Sequence, residues 1–222
     1  MTEKRLLDIE EVISRLRQAV RLFPKAAMFA LAEEGFTSAF EQLISCIISI
    51  RTYDEVSLPV SRSLFAVAKT PSEVANLSVE KIESLIAEST YAPRKAAQIK
   101  AIAEQTVKEY NGVLPCDEEI MLGFKGVGIK CAHLALGIAC ERPYISVDVH
   151  VHRVTNRWGY VKTKTPEKTT TTLESKLPIK YWIEINSLLV PFGKHICTGK
   201  LPRCSRCSLL EMCQQVGVTK NH

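Results

Sequence analysis

At 222 residues the chain is long enough for one large or two small domains, and 46% hydrophobic residues with a mean hydropathy of +0.02 exclude a disordered chain. Its formal net charge of +5 is unevenly spread: residues 123–164 carry seven Lys and Arg against two Asp and Glu, and residues 191–222 carry five against one. Nothing reads as a membrane span, and the start, Met1-Thr2-Glu3-Lys4-Arg5, lacks the apolar core and small-residue cleavage site of a signal peptide, so a cytoplasmic protein is expected.

Residues 6–20 repeat apolar side chains at three- and four-residue steps, which predicts an amphipathic helix closed by Pro24. Residues 37–50, TSAFEQLISCIISI, are nearly uniformly apolar after a threonine, and predict a central helix buried on all sides. Arg51-Thr52-Tyr53-Asp54 follow as polar and aromatic groups that either line a pocket or begin the next helix. Segments 55–67, 71–75, 79–88 and 93–109 continue as short amphipathic helices punctuated by Thr70-Pro71 and Pro93. No strand pattern, repeat or flexible linker competes, so the fold class is all-α.

The stretch 122–153 carries the chemistry. Gly126-Val127-Gly128 can turn sharply and bring backbone N–H groups close to a ligand, and the apolar residues Ile129, Ala132, Leu136 and Ala139 place a helix directly behind it. The positive end of that helix favours an anion such as a phosphate. Lys130 falls in its first turn, where a partly desolvated ammonium loses its proton more readily and the neutral amine becomes a nucleophile. An ordinary surface lysine is the plainer alternative. After Pro143, Tyr144 to Arg153 set Asp148, His150, His152 and Arg153 into an apolar run. Asp148 is placed to cap a helix, to stabilise a developing sugar cation, or both.

Residues 166–177 and 180–190 predict two further helices, with the threonines 169–172 as one turn of modest propensity. Cys46, Cys116, Cys131 and Cys140 lie scattered among apolar segments and read as buried free thiols. Cys197, Cys204, Cys207 and Cys213 form a C-x6-C-x2-C-x5-C run among Gly199, Pro202 and basic side chains, where no core is built, so the four thiolates imply a metal. Zinc with four cysteines usually takes two well-separated CxxC pairs, whereas one unequally spaced run can wrap a [4Fe–4S] cluster, which is the assignment preferred over a zinc knuckle.

Gly126-Val127-Gly128-x-Lys130, then Val147-Asp148-x-His150-x-x-Arg153-Val154, then the cysteine run, resemble endonuclease III of the helix-hairpin-helix DNA glycosylases from about residue 25 to residue 213. The resemblance implies a six-helix barrel domain over residues 32–142, ending in the helix-hairpin-helix, and a [4Fe–4S] cluster domain from residues 1–31 with 143–222. It implies a base-excision repair enzyme that removes oxidised or saturated pyrimidines from double-stranded DNA and cleaves the abasic site by β-elimination. Lys130 is then the nucleophile and Asp148 its partner. Gly126, Val127, Gly128, Lys125, His150, Arg153, Lys200 and Arg203 contact DNA, and DNA lies across a cleft between the domains. The protein is expected to be monomeric, and nucleoid-associated in a bacterium or archaeon.

Three departures stand out. Arg51 occupies the position of a common glutamine in the stretch Ser49-Ile50-Arg51-Thr52-Tyr53-Asp54, which leaves base choice open. Phe124-Lys125 replaces a leucine-proline before the hairpin, adding a cation. Ser89-Thr90-Tyr91-Ala92 replaces a glycine-containing turn while Lys95-Ala96 is kept, making Tyr91 either a wedge into the duplex or a core tyrosine. A monofunctional or mismatch-directed glycosylase of the same fold, and a non-catalytic helix-hairpin-helix DNA-binding protein, are the alternatives; Lys130 weighs against the first and its pairing with Asp148 against the second.

Overall fold

The computed structural model describes residues 4–222, so Met1-Thr2-Glu3 of the start discussed above lie outside it. Its helices are α1 (Ile9–Val20), α2 (Ala27–Glu33), α3 (Ala39–Ser49), α4 (Asp54–Val67), α5 (Pro71–Ala75), α6 (Val79–Leu85), α7 (Ala92–Tyr110), α8 (Glu118–Gly123), α9 (Ile129–Cys140), α10 (Val149–Trp158), α11 (Pro166–Glu174) and α12 (Glu184–His195). No strand occurs among the described residues, and none of the helices is long and apolar enough to cross a membrane. The chain forms two compact units: Ala27–Tyr144, and the described residues through Ala26 together with Ile145–His222.

In the first unit α3 is the buried element. Every residue from Ala39 to Ile48 is buried, and α9, α4, α2 and α7 pack around it. The cap is Ser38 rather than Thr37, because Glu41 at the third helical position completes a reciprocal box: the Ser38 hydroxyl accepts from the Glu41 N–H, and the Glu41 carboxylate accepts from the Ser38 N–H at 2.9 Å. Gln42, also buried, spends its amide on the Met28 and Phe36 carbonyls and so ties the preceding loop and α2 to the same helix.

The C-terminal end of α3 presents carbonyls that no further turn of helix can satisfy. Lys95 of α7 meets this need: its ammonium, buried with the rest of the side chain, donates to Ile48 O at 2.6 Å, Ile50 O at 2.8 Å and Thr52 Oγ1 at 3.1 Å. Three donors find three acceptors. The helix α7 begins at Tyr91, itself in the left-handed region with φ 62°, and Pro93 falls in its first turn, where no N–H is needed.

The four cysteines outside the C-terminal run divide. Cys46 and Cys131 are buried free thiols as expected, whereas Cys116 and Cys140 are joined in a disulfide, which corrects the sequence expectation. The loop before α8 and the last residue of α9 bring the two Cα atoms to 6.0 Å, within ordinary disulfide reach, although 24 residues separate them in sequence. The bond closes both ends of the α8–α9 pair.

In the second unit α1, α10 and α12 share a core of Val12, Ile13, Leu16, Val151, Val154 and Phe192 among others. Asp8 caps α1 by accepting from the Glu10 and Glu11 N–H groups. The threonine turn in α11 is more than filler: Thr169, Thr170, Thr171 and Thr172 each return their hydroxyl to the carbonyl four residues back, and buried Thr169 also meets His152 Nδ1 at 2.6 Å. The helix expected over 180–190 begins as a 3-10 turn at Ile179–Tyr181, and α12 runs through Pro191 to His195. The buried apolar face outweighs the one backbone donor that proline removes.

Replacing Lys95 by Met keeps the packing of the stem but leaves the Ile48 and Ile50 carbonyls without their donors, and we expect a loss of about 2–4 kcal/mol in urea unfolding. Burial lowers the pKa of Lys95 from 10.5 to about 8, so between those values the unfolded chain binds more protons than the folded one. Stability from this group therefore rises with pH across that window, and the Met variant should lack the rise.

Candidate active site and cysteine loop

The hairpin between α8 and α9 turns at Gly126, with φ 83°, and closes through the Val127 N–H donating to Phe124 O at 3.1 Å. From outside the motif Gln98 of α7 donates to Lys125 O at 3.0 Å, and its amide nitrogen would sit 3.0 Å from any Cβ placed on Gly126. The site thus needs glycine twice, for the dihedral and for the close approach. Gly128 is the N-cap of α9 and has no side chain to satisfy the first-turn N–H groups. With Lys125 exposed beside it, the hairpin is an open backbone surface suited to a phosphate.

Lys130 stands half-buried in the first turn of α9, and its ammonium donates to the Cys46 thiol of α3 at 3.2 Å. Asp148, in the other unit, caps α10: its Oδ1 accepts from the His150 N–H at 2.9 Å and the Val151 N–H at 2.8 Å.

Arg51 and Tyr91 lie together on one edge of the first unit. Both are in the left-handed region, with φ 55° and 62°, both are exposed, and the guanidinium reaches the phenol oxygen at 3.5 Å. Thr90 stitches the two turns, its N–H donating to Thr52 Oγ1 and its hydroxyl to Arg51 O. Tyr91 is 57% exposed, so it is not part of the core.

In the second unit the guanidinium of Arg153 is occupied. It donates to Gly193 O at 2.9 Å and to Cys197 O at 3.1 Å, and meets His150 Nδ1 at 3.1 Å. Burial lowers its pKa, while the neighbouring Cys197 and Asp148 oppose that shift. Arg157, one helical turn further and not singled out by sequence, donates to Thr198 O and Gly199 O at 2.5 Å each. The i,i+4 spacing of the two arginines on α10 was the available signal. Lys200 and Arg203 are exposed in the loop that these bonds hold.

Cys197, Cys204, Cys207 and Cys213 line one pocket together with apolar groups including Trp158, Phe192 and Leu210. Burial pushes the Cys207 thiol up to about 11, with the other three sulfurs adding to the effect, and Cys213 is raised for the same reasons. Four thiolates here require a cationic centre between them. Arg157 Nη1 and the Gln215 N–H each lie 3.4 Å from a sulfur, at Cys197 and Cys213 respectively, and so supply donors suited to thiolates. Among the described residues no group of three or more His, Cys, Asp or Glu side chains is arranged to hold a single metal ion.

Residues 44–178 match the profile of the HhH-GPD superfamily base excision DNA repair proteins. The chain is 38% identical over 198 residues to endonuclease III of Thermotoga maritima, covering 89% of this chain and 90% of that protein. It is also 38% identical to an endonuclease III homolog of Encephalitozoon cuniculi, over 78% of each chain. A solved structure of a trapped endonuclease III–DNA covalent intermediate superposes with a TM-score of 0.79 and 26% identity, over 95% of this chain and 97% of that one. The fold is thus that of the helix-hairpin-helix base-excision repair glycosylases. Within that superfamily the chain belongs to the endonuclease III family.

The crossing of α10 and α12 depends on Gly193, where an added Cβ would fall 2.6 Å from His150 Nδ1, 3.0 Å from His150 Cβ and 3.1 Å from Arg153 Nη2. We expect Gly193→Ala to cost about 1–3 kcal/mol in urea unfolding, since the crowded atoms include a Cβ close to backbone.

Proposed function

We propose that the chain is a bifunctional DNA glycosylase and AP lyase that excises oxidised or saturated pyrimidines from duplex DNA and then breaks the strand through a Schiff base on Lys130. The observation that carries this is the position of Lys130, a primary amine one residue into the helix that the phosphate-suited hairpin opens. The covalent DNA intermediate of the structural relative supports the same chemistry.

The base is reached by flipping it out of the stack, which costs least where a ring is saturated and stacks poorly. Neutral Lys130 attacks C1′ of the sugar and the base leaves; the resulting iminium acidifies C2′, and β-elimination opens the strand. The Asp148 carboxylate stabilises the cationic sugar. With its Oδ1 engaged by two backbone N–H groups, it is held in one orientation before substrate arrives. Lys125, Gly126, Val127, Gly128, Lys200 and Arg203 bind the backbone, and His150 and Arg153 shape the second unit's part of that surface. Arg51 and Tyr91 act at the lesion, where a guanidinium and a phenol in place of a glutamine and a smaller turn set the base preference. The enzyme works as a monomer in the cytoplasm, with residues 32–142 as barrel domain and residues 1–31 with 143–222 as cluster domain.

Cys197, Cys204, Cys207 and Cys213 hold a [4Fe–4S] cluster. Four cysteines in one unequally spaced run, lining one pocket, support a cluster over zinc, which usually takes its four thiolates from two well-separated CxxC pairs. When bound, the cluster serves to cross-link the loop. Arg153 and Arg157 hold the same loop from α10, so that Lys200 and Arg203 face outward.

Borohydride should trap wild-type protein on DNA bearing a saturated pyrimidine or an abasic site, and Lys130→Gln should bind the same DNA without being trapped. Asp148→Asn should slow base removal by about 10²–10⁴ while losing less on a preformed abasic site. Trapping by Lys130→Gln at the wild-type level would reject the assignment. Purified protein should be yellow-brown with about four iron per chain. A colourless protein carrying one zinc would show the cluster assignment to be wrong.

A further inference from the structure

The hydrogen bond from Lys130 to Cys46 has no part in the chemistry above, yet it places a second titratable group against the nucleophile. Cys46 lies on the fully buried helix α3, with no exposed surface. Its sulfur receives the Lys130 ammonium at 3.2 Å, and the Cys131 thiol, next in chain to Lys130 and itself buried, is within hydrogen-bonding reach of it. The Ser49 hydroxyl, on the same helix, donates to the Cys46 carbonyl at 2.7 Å.

Two cysteine thiols and one lysine ammonium are thus brought together. The Cys46 side chain is fully buried, so its sulfur is a proton acceptor for Lys130 that lies out of reach of water.

Resting on the assignment of Lys130 as nucleophile, we propose that Cys46 is a positioning residue for it: its sulfur holds the amine against α3 and takes the proton that the ammonium must lose before attack. The proton moves from Lys130 Nζ to Cys46 Sγ, converting ammonium and thiolate into amine and thiol. The freed nitrogen lone pair forms the bond to C1′. In base removal the C1′–N bond breaks and its electron pair leaves with the base; at an abasic site the amine adds to the aldehyde carbon and water departs. No oxidant or reductant takes part.

The electrostatics agree in direction. Burial alone would raise the thiol's pKa, but the hydrogen bond from Cys131 and the charge of Lys130 outweigh it and bring Cys46 down to about 6. Cys131 is raised in turn by donating to Cys46 and by its own burial, so of the two Cys46 gives up its proton more readily. Lys95 of α7 acts on the group through Cys131. The other neighbours of α3 carry Glu33 on α2 and Asp54, Glu55 and Arg62 on α4, the last paired with Glu34.

The test uses the full-length protein with its natural metal content, and follows single-turnover trapping by cyanoborohydride on a preformed abasic site from pH 5.5 to 9. Cys46→Val preserves volume, and Cys46→Ser keeps a hydrogen-bond partner for Lys130 that cannot accept its proton in this range. Wild type should hold its rate down to about pH 6. Both variants should fall by about 10²-fold at pH 7, with the acid limb moved up by at least one pH unit, while affinity for a duplex carrying a non-cleavable abasic analogue stays at the wild-type value.

A Cys46→Ser protein with wild-type rate and pH profile would overturn the proposal. So would an equal loss at every pH, which is the signature of disturbed packing. Failure of the nucleophile assignment looks different: wild type itself would give no adduct, or the adduct would survive Lys130→Gln, and the role of Cys46 would fall with it.

Discussion

Burial of α3 on every side is the constraint from which the first unit follows. A helix with no solvent face cannot leave its ends to water, so each end is met by a side chain from elsewhere or by its own cap. At the start this is Ser38 with Glu41, and at the finish it is the ammonium of Lys95. Because Lys95 grips Ile50 O and Thr52 Oγ1 as well as Ile48 O, the chain leaving α3 has no freedom to continue as helix. It turns at once through Arg51 in the left-handed region, which for an arginine costs about 1–2 kcal/mol. The same anchor, through Thr52 and Thr90, fixes the turn that presents Tyr91. The exposed pair Arg51 and Tyr91 is thus held by a buried cation some residues away.

In the second unit the arginines of α10 have a similar part. Arg153 and Arg157 reach the carbonyls of Gly193, Cys197, Thr198 and Gly199, the groups left open where α12 ends and the cysteine loop begins. A loop of irregular backbone is ordered only if its polar groups find partners. Here the arginines supply donors from one side and the four cysteines, through a cluster, would supply cross-links from the other. Polar carbonyl contacts and the proposed cluster ligation would thereby converge on Cys197.

Much of this was legible in the residues. The apolar run of α3, the glycines before Lys130, Asp148 ahead of a helical run and the spacing of the last four cysteines are local patterns, and each reports on its own neighbourhood. The helices that escaped, α2 and α8, are seven and six residues long, too short to show a helical period. The α12 helix runs past its expected end at residue 190 because burial of its apolar face carries it through Pro191, a residue type that local propensity disfavours inside a helix. Pairing of Cys116 with Cys140 was invisible because sequence spacing alone does not fix disulfide connectivity. The occupation of Arg153 was hidden for a related reason: an arginine in a basic stretch reads as a DNA contact, and only the carbonyls beneath it show that the guanidinium also serves the protein.

The position of Lys130 combines these two kinds of information. Its place after the hairpin is a sequence fact, but its environment is a packing fact, since α9 lies along α3 and brings Cys131 and Lys130 to the one buried sulfur of that helix. A nucleophilic amine facing only water would be held as ammonium at neutral pH, and one facing only hydrocarbon would have nowhere to send its proton. A buried thiol beside the amine is polar enough to hold it and small enough to be packed as an apolar side chain. The physical requirement that closes the core around α3 also sets the sulfur against which the Lys130 amine rests.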